Sequence, residues 1–213
     1  MLSIKNLKLF DTPGEKINGE YSYGDIININ GVPGCGKTKL FKILIGVLRP
    51  LSGKVIYDGD DIYNSDFLIL GVSRKKIGVI FDRPTILSNL TLLDNILLTI
   101  RSRNINLARE EIKQMIIQFK LDGCENKRPI DLSKDQILRF NYLKIYICKP
   151  RFVFFDDFTV SKEVSVNKLF FDFLKIKNTE IILVIFGEVP KELNSNKVKV
   201  INLSVKKALK DAS

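Results

Sequence analysis

The chain has no histidine and only three cysteines among its 213 residues. Without an imidazole, no step of its chemistry can run through a histidine base or ligand. Cys35, Cys124 and Cys148 form an odd and scattered set, which excludes a disulfide framework and gives no metal-ligand spacing. No apolar run approaches the roughly 20 residues needed to cross a bilayer. The opening MLSIKNLKLF lacks signal-peptide architecture, so a cytoplasmic protein is the expectation. Repeats, linkers and low-complexity tracts are missing as well. The remaining composition, 45% hydrophobic and 27% charged, is that of a globular chain. Its length suffices for one large domain, or one domain with a subdomain.

Acidic residues are the scarcer charge: 24 Asp and Glu against 34 Lys and Arg leave a net charge of +10. Such a surplus is one mark of nucleic-acid binding. Here, however, the lysines are spread along the chain, with only a mild cluster at Lys197, Lys199, Lys206, Lys207 and Lys210. The abundance of Lys, Ile, Asn and Phe matches an A+T-biased genome. Nucleic acid is therefore not the favoured partner, and attraction to an anionic membrane surface or an acidic partner fits the same charge.

What is present is dominated by Gly31-Val32-Pro33-Gly34-Cys35-Gly36-Lys37-Thr38, which fits the phosphate-loop pattern G-x-x-x-x-G-K-[ST]. The run Asp25–Asn30 before it reads as a buried strand, and Lys39–Leu48 after it as an apolar-faced helix. In such a turn the glycines let successive N–H groups face phosphates, and the helix N-terminus adds partial positive charge. Lys37 is placed to reach the β- and γ-phosphates, and the Thr38 hydroxyl to ligate Mg²⁺. Gly31, Gly34, Cys35, Gly36 and Lys39 complete the candidate phosphate site. Because Cys35 lies inside the loop, thiol alkylation is expected to block binding.

Further along, strand and helix alternate. Strands are predicted at 2–9, 17–23, 54–57, 77–81, 152–155, 180–186 and 198–203. Helices are predicted at 91–103, 107–121, 133–148 and 162–176. A helical block between halves of an α/β sheet implies two lobes around one nucleotide site. The segment Arg151-Phe152-Val153-Phe154-Phe155-Asp156-Asp157 describes a buried strand that delivers carboxylates to its C-terminal edge, where open sheets bind ligands. There Asp156 can hold Mg²⁺ opposite Thr38, and Asp157 can polarise an attacking water.

Between these anchors, Asp131-Leu132-Ser133-Lys134-Asp135-Gln136 precedes the helix that leads to the acidic strand. In order and spacing this resembles the nucleotide-binding subunit of an ABC transporter, whose signature is L-S-G-G-Q. Other segments are similar to the family in register. Leu48-Arg49-Pro50-Leu51-Ser52-Gly53 resembles its R-P-x-S-G segment. Lys76–Asp82 resembles its glutamine-loop strand, and Leu90–Ile96 its L-T-V-x-E-N-V helix. Arg74-Lys75-Lys76-Ile77-Gly78 and the compact length resemble the cell-division and lipoprotein-export branch, the FtsE or LolD type.

The resemblance implies a P-loop NTPase of the α/β class, with a RecA-like core sheet, an antiparallel β edge and an inserted helical subdomain. Residues 1–213 would form a single domain, with 1–84 plus 151–213 as the RecA-like lobe and 85–150 as the helical lobe. It also implies ATP and Mg²⁺ as cofactors, and a homodimer or a heterodimer with a related ATP-binding subunit. Two ATP molecules would be sandwiched, each covered by the other chain's Ser133, Lys134, Asp135 and Gln136. Integral membrane permease-like subunits would dock near Asp82–Leu90, making the protein peripheral on the inner face of the membrane. Phe10 stands where an aromatic stacks on adenine, and core packing is the alternative for it.

Departures from the family bear on turnover. Asp82 stands where the family has a Mg²⁺-linked glutamine. Lys134 and Asp135 replace signature glycines, Asp157 replaces the catalytic glutamate, and Gly187 occupies the switch position usually held by His. Asp157 is one methylene shorter than Glu, Gly187 cannot hydrogen-bond the γ-phosphate, and Asp135 would bring negative charge toward a phosphate unless Lys134 offsets it. Binding with weak or slow hydrolysis is the expected outcome. The alternatives are a non-hydrolysing regulatory or scaffold subunit, for example in cell division, and another phosphate-loop enzyme such as a small-molecule kinase.

Overall fold

The computed structural model describes residues 1–10, 16–63, 75–81, 86–156, 161–177, 180–193 and 198–203. Two sheets carry the strands among these residues. One is antiparallel, with β1 (Leu2–Lys8), β2 (Ile17–Tyr21), β4 (Ser52–Tyr57) and the short β5 (Asp60–Asp61) in the order β2-β1-β4-β5. The other is parallel and contains β3 (Ile26–Gly31), β6 (Ile77–Ile80), β7 (Phe152–Asp156), β8 (Ile182–Phe186) and β9 (Val198–Leu203). Its order is β6-β7-β8-β3-β9, so chain order and spatial order diverge around β3.

The central strands are unbroken apolar runs because both of their faces are covered. Along β7, Phe152 and Phe154 join Ile27, Ile29, Val184 and Phe186 in one cluster with the antiparallel sheet and helix α1 (Lys37–Leu44). Val153 and Phe155 face the other way, into a second cluster. That second cluster is built with α2 (Leu92–Ser102), α3 (Arg109–Gln118), α4 (Lys134–Cys148) and α5 (Val164–Ile176). The helical block therefore buries its apolar face directly on the parallel sheet. Each fully buried Phe in this arrangement contributes about 2–3 kcal/mol. Gly78 marks the closest approach: a Cβ there would lie 2.5 Å from Ile145 of α4 and from Pro150.

Helix boundaries follow local chemistry. The α2 helix starts where Thr91 and Asp94 form a reciprocal capping box, and α4 starts on the same device from Ser133 and Gln136. The α1 helix stops at Leu44, short of the Leu48 expected from its apolar run. Gly46 takes φ 75°, and the N–H groups of Gly46 and Val47 donate to the carbonyls of Ile43 and Lys42. These two bonds make a Schellman stop. The α3 helix is also shorter than its predicted span of 107–121. It begins after Ala108 and ends at Gln118, before Lys120 turns to φ 53°. Likewise α5 begins at Val164, two residues after the predicted start.

Candidate nucleotide site at the C-terminal sheet edge

The phosphate loop leaves β3 at Gly31 and enters α1 at Lys37. Gly34 (φ 82°) and Gly36 (φ 100°) adopt left-handed conformations that an L side chain would resist. Gly36 is the N-cap of α1 and supplies no side-chain acceptor, so the first-turn N–H groups lack a side-chain cap. Those groups and the helix dipole make a place for an anion. The Lys37 ammonium donates to the Gly31 carbonyl, which draws its positive charge over the loop. Thr38 sits in the first turn. Three residues on, the ring of Phe41 packs edge-on against Phe186 at 5.2 Å and Phe154 at 6.4 Å. Phe41 thus seats α1 against β7 and β8, and Asp156 closes β7. Cys35 is only 4% exposed, and a Cβ on Gly31 would meet its Sγ at 2.4 Å. The thiol is packed beneath the loop, so the expected alkylation requires the loop to open first.

Phe10 comes to the same place. Its ring lies against Gly36, where a Cβ would meet it at 2.9 Å, and the Lys39 ammonium stands 4.7 Å from the ring centroid. The ring is 43% exposed, which removes core packing as its role. A cation on an aromatic face is attracted by the ring quadrupole, and Lys39 thereby steadies the ring beside the phosphate loop.

Ser133, Lys134, Asp135 and Gln136 open α4. The Ser133 hydroxyl accepts from the Gln136 N–H at 3.1 Å, and the Gln136 carboxamide accepts from the Ser133 N–H at 2.8 Å. Asp135 is held at the helix end by partners within the chain. Its carboxylate pairs with the buried Arg139 at 2.9 Å and accepts from Ser161 Oγ at 2.8 Å and the Lys162 N–H at 2.7 Å. Its negative charge is thus answered within the chain, and Lys134 stays exposed. Burial, with the Asp135 charge adding to it, holds the Tyr142 hydroxyl well above its ordinary range. Among the described residues, the side-chain bonds of this group run to Cys124, Arg139, Ser161 and Lys162, and none reaches the phosphate loop.

Gly187 follows β8 at φ 121° and brings no side chain to the sheet edge. Its carbonyl accepts from Nδ2 of Asn28 at 2.6 Å. Asn28 in turn accepts from Asn30, the residue before the loop. Neither asparagine was singled out in the sequence; the only signal was two polar residues inside an otherwise apolar strand. Asn95 was also passed over. Buried in α2, it exchanges hydrogen bonds with Leu87 at 2.9 and 3.1 Å and donates to Thr91 O at 2.9 Å, which fixes the segment before the helix. Asp82 and Asp157 lie outside the described residues. The structure thus gathers the phosphate loop, Phe10, Lys39, Asp156 and Gly187 around the C-terminal ends of the parallel strands. It keeps the Ser133–Gln136 group on a separate helix.

The chain matches the family described as ABC transporter over residues 15–160. It is 27% identical over 154 residues to the spermidine/putrescine import ATP-binding protein PotA of Mycoplasma mycoides, covering 71% of this chain and 42% of that protein. It is 28% identical over 186 residues to the methionine import ATP-binding protein MetN of Mannheimia succiniciproducens, covering 82% and 53%. The chain thus spans about half the length of the curated relatives it matches. In fold it is similar to the ATP-binding cassette MJ0796, solved as a dimer in a post-hydrolysis state bound to ADP and Pi. The TM-score is 0.76 at 21% identity, with 97% of each chain covered. With its phosphate loop, acid-ended strand and capped signature helix in that fold, this chain belongs to the ABC transporter family as an ATP-binding domain of the P-loop NTPase class.

Proposed function

We propose that this chain is the ATP-binding subunit of an ABC-type membrane complex, in which ATP drives dimerisation and hydrolysis is weak or slow. The observation that carries the reading is the uncapped, glycine-entered N-terminus of α1, which bears Lys37 and Thr38 at the same sheet edge where Asp156 ends β7. Oxygen donors from Thr38 and Asp156, with Asp82 two residues after β6 in sequence, suit Mg²⁺, which takes few protein ligands and completes its shell with phosphate oxygens and water. Phe10 offers the base an exposed aromatic face. Ser133 and Lys134 are turned to solvent on a different helix, which supports a second subunit, identical or related, in covering the nucleotide. MJ0796 is itself dimeric in its ADP-bound structure.

The membrane association is likewise part of this proposal. Among the described residues no helix is long and apolar enough to cross a membrane, so attachment would run through permease-like subunits. The segment Asp82–Leu90 is the proposed docking place, and Asn95 holds its described end through Leu87. PotA and MetN are import ATP-binding proteins, which supports a transport role on the inner face of the membrane. Weak turnover follows from Asp157 in place of a longer acid and from Gly187, which has no side chain for the γ-phosphate. Loss of one such contact costs about 10²–10³ in rate in other enzymes. The left-handed Gly187 also favours, as a second reading, a regulatory subunit in which ATP sets dimerisation alone.

Isothermal titration with Mg·ATP tests the site. Wild type is expected to bind, and Lys37→Ala to bind at least about tenfold more weakly, since a charge-assisted contact is worth roughly 1.5–3 kcal/mol. Equal affinities would remove the nucleotide assignment. A steady-state assay on the same protein separates slow turnover from the ordinary range of about 1–10³ per second.

A further inference from the structure

Two side chains interrupt the apolar pattern of the phosphate-loop strand. Ile26, Ile27 and Ile29 are buried, as a central strand requires, yet Asn28 is 5% exposed and Asn30 is half-buried between them and the loop. A carboxamide in such a place costs free energy unless its polar atoms are bonded. Asn28 meets that condition: its Nδ2 donates to the carbonyls of Gly187 (2.6 Å) and Ile185 (3.5 Å), and its Oδ1 accepts from Asn30. Asn30 does not use all it has. One amide N–H goes to Asn28, while the second N–H and the carbonyl oxygen have no partner among the described residues.

The position of Asn30 gives that spare donor a purpose. It is the last residue before Gly31, whose carbonyl takes the Lys37 ammonium. The register pairs Ile29 with Phe186 of β8, and Asn30 with Asn202 of β9. Asn30 therefore falls in the row of Gly187 at the C-terminal edge, where open parallel sheets bind ligands. Gly187 contributes only backbone to this row, and Asn30 contributes a carboxamide.

We propose that Asn30 donates its second amide N–H to the terminal phosphate of the nucleoside triphosphate held by the loop, with Asn28 tying the Gly187 segment to that contact. The inference rests on the nucleotide-binding reading above and adds the residue that distinguishes triphosphate from diphosphate. The preorganisation is visible: Asn28 holds the Asn30 amide on one side and the Gly187 carbonyl on the other, so both move together. ADP lacks the γ-phosphate that would accept this bond.

The test is the affinity ratio of ATPγS to ADP, measured by titration calorimetry on the full chain. Asn30→Ala should lower the wild-type preference for ATPγS about tenfold, the worth of one hydrogen bond to a charged acceptor. Asn30→Asp keeps the size but sets a carboxylate against the phosphate, and should lower the ratio further. Asn30→Ser retains a donor and should recover part of the preference, which a merely structural role for the side chain would not produce. An Asn30→Ala protein that melts cooperatively, binds ADP and keeps the wild-type ratio within about twofold would overturn the inference and leave the nucleotide site standing. A wild type that bound neither nucleotide would overturn the reading of the site itself, and this inference with it.

Discussion

Gly187 is left-handed at φ 121°, a backbone conformation that costs a residue with a Cβ about 1–3 kcal/mol. The absence of a side chain at the switch position is therefore built into the path of the chain as it leaves β8. From sequence, Gly187→His combined with Asp157→Glu should raise the hydrolysis rate more than either change alone. The backbone now adds a penalty to that repair. Gly187→His and Gly187→Ala should both lower the melting temperature by several degrees, at about 2–4 °C per kcal/mol for a domain of this size. Asp157→Glu, which leaves the Gly187 backbone untouched, should then raise ATP turnover more cleanly than the double change. Thermal melts and steady-state rates of the three variants decide it, and an unchanged melting temperature in Gly187→Ala would show that the segment relaxes without strain. Cys35 carries a similar lesson. Its place inside the loop was plain from the sequence, but only packing showed that its thiol lies beneath it.

Among the elements, α4 joins parts that are far apart in the chain. Arg139 donates to the carbonyls of Phe119 and Lys120 at the C-terminal end of α3, where a cation complements the helix dipole. It also pairs with Asp135 one turn earlier, and Asp135 receives Ser161 and Lys162 from the segment before α5. The acid that replaces a signature glycine thus fastens α3, α4 and the entry to α5. Asp135→Ala would leave Arg139 buried with its charge unanswered, and denaturant titration should show a loss of about 3 kcal/mol. Asp135→Asn keeps an acceptor for Ser161 and should lose less. A stability equal to wild type in Asp135→Ala would mean that Arg139 finds another partner. The sequence located this helix from its local apolar pattern, while the Ser133 capping box came only with the structure. The pairing of Asp135 with Arg139 has the local i,i+4 spacing, whereas Ser161 lies 26 residues away in chain order, beyond any local pattern.

For the whole molecule, the two sheets are tied at the edge opposite the nucleotide site. Asp58, in the turn between β4 and β5, accepts from the N-terminal ammonium at 2.6 Å, the Tyr23 hydroxyl at 2.6 Å and Arg151 at 3.2 Å, with Lys76 at 3.5 Å. Burial alone would raise its pKa. The hydrogen bonds from the ammonium and Tyr23, with the charge of the ammonium and the Arg151 bond, outweigh burial and bring it down to about 2. A carboxyl depressed in the native state contributes its stability in full above its unfolded value near 3.8, and loses it as pH falls toward about 2. Unfolding midpoints measured from pH 5 to pH 2 should therefore fall less steeply in Asp58→Asn than in wild type. Parallel acid limbs would exclude Asp58 as a contributor.

Nearest-neighbour chemistry was enough to read the phosphate loop, the acid-ended strand and the alternation of strand and helix. Glycine conformation and apolar runs act within a few residues, and so they are written directly in the chain. The order of the parallel strands, β6-β7-β8-β3-β9, was decided only in three dimensions, since residues more than 150 positions apart must pair to make it. The same holds for the placing of Phe10 beside Gly36, the turning of Asp135 toward Ser161, and the link from Asn30 through Asn28 to Gly187. Each depends on which side chain another strand or helix brings within about 3 Å, where a hydrogen bond forms or fails, and no local pattern encodes that meeting.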